Sequence, residues 1–177
     1  MIYLFRIITD ENPVFFRDLV ADSSDTFLEF HQTLQLNLGY DHTQLASFFI
    51  TNHQWEKQQE ITLIDMMQDP GISTVTMEQT TLGEHLHEVN QRMIYVFDFF
   101  SDRAFFIELI EASDETSSRD TPFIGHSKGE PPPQLALDRL LDEETNLDAL
   151  EEESDPEDLR LDDLDPDMLD SEMPEDF

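Results

Sequence analysis

The chain has 177 residues, with 9 Lys or Arg against 41 Asp or Glu, no cysteine and a formal net charge of -32. That length fits one domain of about 100–150 residues with an extension, and the missing cysteines exclude disulfides, thiolate metal sites and cysteine nucleophiles. So few cations cannot line up on a phosphate backbone, so direct nucleic-acid binding is not expected; the acidic field points to a basic protein partner.

The opening "MIYLFRIITDENP" has an early Arg6 and breaks its apolar run at Thr9, unlike a secretory signal or a membrane span, so a soluble, cytoplasmic protein is expected. "IYLFRII" and "VFFRDLV" flank the Asn12-Pro13 turn signal and read as a strand hairpin. In "DTFLEFHQTLQLNLGY", Thr26 and Glu29 have capping-box spacing. Phe27, Phe30, His31, Leu34 and Leu38 then fall on one face of a helix that Gly39 closes.

"LASFFITNHQWEKQQEITLI" reads as two further extended segments. Thr81 and Glu84 repeat the capping-box spacing, and Leu82, Leu86 and Val89 predict a second, short helix with one apolar face. "MIYVFDFFSDRAFFIELIEA" has two apolar runs meeting at Ser101-Asp102 and predicts a hairpin whose two faces both need cover. Phe123-Ile124 predicts one short strand before the glycine turns and prolines of "GHSKGEPPP".

The expected fold class is therefore α+β: an antiparallel sheet with two or more packed helices over residues 1–133, followed by an acidic, leucine-punctuated tail over 134–177. Through Ala112 the chain carries five cations against 18 carboxylates, and beyond it four against 23. From Gln134 no aromatic residue appears before Phe177, too little apolar surface to offset the ordering entropy, so disorder is expected there.

"FLEFHQTLQLNLGYDHTQLASFFI" resembles the Leu-His-x-x-Ile-Gln, Gly-Trp, His-Leu-x-x-Phe segment of the plasmid ORF-three-like family, also described as insertion-element passenger proteins of the TnpR type. "MIYVFDFFSDRAFFIEL" resembles that family's Tyr-x-Tyr-Asp-Phe-Gly-Asp-x-Trp-x-His hairpin, with "TLGEHL" upstream and "GHSKGEPPP" similar to its late glycine and proline segment. The resemblance is read over residues 1–133. His31, Gln35 and Gly39 match the helix and its exit, and Tyr95, Asp98 and Phe99 match the hairpin. Tyr40 replaces the usual tryptophan, Gln44 the histidine before Leu45, and Phe100 the hairpin glycine. The resemblance implies an α+β fold and no particular catalytic activity; the TnpR label brings neither a resolvase-like serine nor a basic DNA-reading helix.

Asp98, Asp102 and Arg103 suit either an acid–base pair or turn-building with charge balance, and aspartate's habit of bonding turn amides favours the second. His31, on the apolar helix face one turn from Gln35, reads as a hydrogen-bonded core histidine rather than a metal ligand, since a site needs three or four converging groups. No metal, cofactor or small-molecule substrate is expected. "DPEDL" and "DPDML" repeat ten residues apart, and Asp155 and Asp165 are each placed to cap a short helix beginning at the following proline. Leu137, Leu140 and Leu141, then Leu147 and Leu150, then Leu159, Leu164 and Leu169 offer apolar ridges for a partner's groove. A purely solvated bristle explains the acids equally well, though it does not require the leucines.

The leading expectation is a non-enzymatic interaction module whose acidic tail engages a basic macromolecular partner. The alternatives are a small hydrolase or isomerase using Asp98, Asp102 or His31 in a pocket, and a mobile-element regulator acting through a DNA-binding protein.

Overall fold

The computed structural model describes residues 1–65, 75–115 and 120–135. The chain divides into two units, Met1–Asp138 and Arg139–Phe177, and all described residues belong to the first. The leucines from Leu137 to Leu169, with Asp155 and Asp165, lie outside the described residues.

In chain order the elements are β1 (Ile2–Ile8), β2 (Phe16–Asp22), α1 (Phe27–Leu38), β3 (Ser47–Thr51), β4 (Lys57–Thr62), β5 (Arg92–Asp98), β6 (Arg103–Ser113) and β7 (Phe123–Lys128). They form one seven-stranded sheet in the order β4-β3-β5-β6-β1-β2-β7, with every neighbouring pair antiparallel. The hairpins expected at both ends of the domain are present, and Phe123-Ile124 opens β7.

The α+β expectation with two or more helices is corrected: the described residues form a mostly antiparallel β structure with a single α-helix. The capping box at Thr81 forms, with the Thr81 amide donating to Glu84 Oε2 at 2.6 Å, but it starts only one 3-10 turn, Leu82–Glu84. Gln91 stops the helix from growing, because its Oε1 accepts from the amides of His87 and Glu88. Leu86 O is taken by the Tyr3 hydroxyl at 2.6 Å. Leu82 and Leu86 reach the core, but Val89, assigned to the same face, is 42% exposed.

Helix α1 forms for the reasons read from its sequence. Glu29 N donates to Thr26 Oγ1 at 3.2 Å and Thr26 N to Glu29 Oε2 at 2.7 Å, completing the reciprocal cap. The next orphan amides, of Phe27 and Leu28, donate to the carbonyls of Thr80 and Met77, so the 75–91 segment is tied to the helix start. At the other end Gly39 adopts φ 70°, and the amides of Gly39 and Tyr40 return to Leu36 O and Gln35 O, a Schellman closure.

Phe27, Phe30, Leu34 and Leu38 are buried against the sheet. At about 1.5–3 kcal/mol each they contribute roughly 6–12 kcal/mol of gross hydrophobic stabilisation. The contacts are specific: Phe30 meets Phe5 and Phe48 edge-on, with centroids 5.2 and 5.5 Å away. A helix of 12 residues is about 18 Å long and cannot cover seven strands spaced about 4.8 Å apart. Met77, Leu82 and Leu86 complete this core from the 75–91 segment.

Candidate functional site

Residues singled out by the sequence fall into two groups. The first is a buried polar chain between helix and sheet. His31 and Gln35 are one turn apart on the inward face of α1 and Tyr95 is central in β5; their exposures are 1%, 1% and 0%. Gln35 Nε2 donates to the Tyr95 hydroxyl at 2.7 Å, which leaves that hydroxyl's proton for His31 Nδ1, also at 2.7 Å. This direction selects the neutral Nε2–H tautomer of His31. Burial, with a smaller contribution from His42, lowers the His31 pKa from 6.5 to about 4, and burial raises that of Tyr95. The network is an orienting device: it fixes the helix register over β5, where an apolar contact would allow sliding.

The second group gathers at the β5–β6 hairpin. The Schellman closure at Gly39 turns Tyr40 back over the sheet, its ring 5.5 Å from that of Phe97. Its hydroxyl donates to Pro132 O at 2.5 Å. The prolines at 131–133 have no amide hydrogen, and their extended backbone forms no internal ladder, so the carbonyls need outside donors. Arg103 supplies two, from Nη2 to Pro133 O at 2.7 Å and from Nη1 to Gln134 O at 3.3 Å. It also holds Glu11 in a bidentate pair at 2.9 Å per bond.

Earlier in the segment, Asn12 Nδ2 donates to Glu130 O, and Arg17 Nη1 to Lys128 O and Gly129 O. Gln134, placed on the tail side of the expected boundary, exchanges two bonds with the Asp41 backbone at 2.7 and 2.9 Å.

Between the hairpin and the loop after α1 is a cavity of about 460 Å³ walled by Phe97, Phe99, Phe100, Leu45 and Leu135, with Gln44, Asp98 and Ser101 supplying its polar atoms. Its rim is unusually apolar for exposed surface: Phe100 is 105% exposed, Leu45 50%, Phe99 46% and Leu135 37%.

Asp98, 6% exposed, caps the hairpin. Its Oδ1 accepts from the amides of Phe100 and Ser101 at 3.1 and 3.3 Å, and Oδ2 is 3.8 Å from Arg103 Nη1. Asp102 points to solvent, with its side chain 87% exposed and φ of 50° in the turn. His31 is sealed in the core. The three groups of the hydrolase reading therefore occupy three different environments, and the turn-building reading of Asp98 and Asp102 describes what they do. Among the described residues no three His, Asp or Glu side chains cluster as metal ligands, and no helix is long and apolar enough to cross a membrane.

Sequence reasoning did not find the Arg103–Glu11 clamp or the part of Leu45, Phe97 and Leu135 in the cavity. A partial signal existed: a proline run with no amide donors, in a chain so poor in cations, requires the few arginines somewhere.

Among the described residues, fold and site define an antiparallel β-sheet domain with one covering helix and an apolar pocket at a hairpin tip. The chain belongs to the plasmid pRiA4b ORF-3-like protein family, whose model matches residues 2–173, well beyond residue 133, where the resemblance was read to end. Among solved structures it is similar to a protein of unknown function, MM3350, from Methanosarcina mazei Go1. The identity is 16% and the TM-score 0.62, over 88% of this chain and 84% of that one, a likeness of fold. No curated protein matches.

Proposed function

We propose that the protein is a non-enzymatic binding module that captures a basic partner segment carrying a large apolar side chain. The observation that carries this reading is the cavity with its exposed Phe99 and Phe100 on a strongly acidic chain. Such a site can bury an apolar anchor, and the surrounding field selects for a neighbouring Lys or Arg. Leu135 lines the cavity, and the chain continues from it into its acidic third. The carboxylates of that third belong to the same chain, and their field raises the encounter rate with a cation-rich segment.

The test uses arrayed synthetic peptides in which Phe or Leu is flanked by Lys or Arg, probed with three full-length proteins. These are the wild type, Phe99→Ser/Phe100→Ser, and a variant with the eight acids of 155–170 neutralised to amides. The hairpin variant should lose at least about tenfold in affinity at every salt concentration. The neutralised variant should lose the salt dependence of the association rate. No peptide bound above a scrambled acidic control, or unchanged binding by the hairpin variant, refutes the reading.

A further inference from the structure

The face of the sheet opposite α1 carries two rows that cross the strands. Cα pairing places Thr51, Arg92, Glu108, Arg6, Asp18 and His126 side by side, from β3 through β5, β6, β1 and β2 to β7. Beside them, Phe49, Ile94, Phe106, Ile8, Phe16 and Lys128 form the next row.

Within the first row Arg92 Nε meets Glu108 Oε2 at 2.8 Å, and the half-exposed Arg6 holds Asp18, whose side chain is only 6% exposed, bidentately at 2.8 and 2.9 Å. The second row is covered in part: Ile94 is buried at 7% exposure, Phe16, Phe49 and Phe106 are half-buried, and Ile8 is 44% exposed. Trp55 leans over the middle from the β3–β4 turn, edge-on to Phe106 at 5.2 Å and stacked on Arg92 at 4.9 Å.

The geometry points to a second copy of this chain as the occupant of that face, in an isologous face-to-face dimer. The four formal charges read +, −, +, − across the sheet, and that sequence is its own complement when inverted. A twofold axis along the strands, between β6 and β1, sets Arg92 over Asp18 of the second copy and Glu108 over its Arg6, and the reverse. The same axis sets Phe106 over Ile8 and Ile94 over Phe16, apolar on apolar. At the edge Phe49 faces Lys128, a cation–π pair. The strands of the two sheets then run aligned, as in a sandwich.

Six strands about 4.8 Å apart, each contributing about six residues at about 3.3 Å per residue, make a face on the order of 600 Å². That approaches the roughly 800 Å² per partner of a standard interface. The net charge of -32 on each copy opposes association, but at about 0.15 M salt screening acts within about 8 Å, whereas pairs closed between two sheets are screened less. This surface is separate from the hairpin cavity, so neither proposal depends on the other.

Full-length protein is examined by sedimentation equilibrium at near-physiological salt, with circular dichroism confirming the fold. Wild type should dimerise with a micromolar or lower dissociation constant. Glu108→Arg sets two pairs of like charges across the axis and should raise that constant at least about tenfold. The fourfold variant Arg6→Glu/Asp18→Arg/Arg92→Glu/Glu108→Arg keeps every pairing within the chain and inverts the row. It should dimerise with itself, yet fail to exchange with wild type in native mass spectrometry, since all their oppositions are like-charged. Monomeric wild type up to hundreds of micromolar, an unweakened Glu108→Arg, or free mixing of the fourfold variant with wild type overturns the proposal.

Discussion

Replacing His31 with Gln tests whether the buried chain beneath α1 makes part of the stability depend on pH. In the unfolded protein the imidazole titrates near its ordinary value of 6.5, and in the folded protein near 4. A base with a lowered folded pKa takes up protons more readily unfolded. Its contribution is therefore complete above 6.5, declines as pH falls through that value, and stops changing below about 4. The gap corresponds to about 3 kcal/mol in full and about 2 kcal/mol at pH 5.

Protonation at Nδ1 would also remove the acceptor of the Tyr95 hydroxyl, which acts in the same direction. Gln at this position does not titrate, and its amide oxygen can still accept from Tyr95. Urea unfolding of both proteins at about pH 7.5 and pH 5 is the assay. The carboxylates and the easing of charge repulsion on acidification are common to both and cancel in the difference. Wild type should lose about 2 kcal/mol more than His31→Gln over this interval. A difference below about 0.5 kcal/mol, with equal m-values, would show that His31 is either solvated or charged in the folded state, and the argument from its burial would fail.

Arg103→Met removes both bonds to Glu11 and the donors to Pro133 O and Gln134 O; it should destabilise by about 3 kcal/mol. Limited proteolysis should then cut near 131–135 before the sheet unfolds, and unchanged cleavage there would show that the arginine does not clamp the segment. Gly129→Ala should cost about 2 kcal/mol, because φ is 72° and an added Cβ would lie 2.9 Å from Phe15 Cα. Gly125→Ala is the control: its Cβ would meet Asp18 O at 3.6 Å and Val20 Cγ2 at 3.8 Å, ordinary contact, so equal losses at the two glycines would refute the reasoning.

The parts of the fold legible in the sequence are those set by local rules. Runs of β-branched and aromatic residues about the turn at Asn12-Pro13 gave the first hairpin, and the capping box with a 3.6-residue apolar repeat gave α1 and its inward His31. The second helix failed because the same capping signal at Thr81 initiates either an α-helix or a single 3-10 turn. The choice fell to Gln91, whose side chain takes the amides three and four residues before it, and to Tyr3, 83 positions away, which no local pattern weighs. The expectation that both faces of the β5–β6 hairpin need cover was half legible. Burial runs unbroken along β5 but alternates along β6, and the face opposite α1 keeps exposed Ile8 and a charged row. The row itself was not legible, since it depends on the registers of five strand pairs, and a one-residue slip in any of them would send its member to the other face.

The division between what is shared and what is particular to this chain follows from where the family-like residues lie. His31, Gln35 and Tyr95 lock the helix to the sheet, Gly39 ends it, and Asp98 caps the hairpin, so the positions that carry the resemblance build the scaffold. Two of the departures, Gln44 and Phe100, line the cavity beside the matched Leu45, Asp98 and Phe99, and each stands where the resembled motif has a different residue, histidine and glycine respectively; a third, Tyr40, packs on Phe97 and donates to Pro132 O. Glycine at 100 would leave the hairpin tip bare, whereas phenylalanine puts a fully exposed ring at the mouth of the pocket. Exposing a ring of that size gains no folding free energy, so what it contributes must come from something that covers it. The matched residues therefore account for how helix and hairpin are held, and Phe100 is the departure at which the search for this chain's specificity begins.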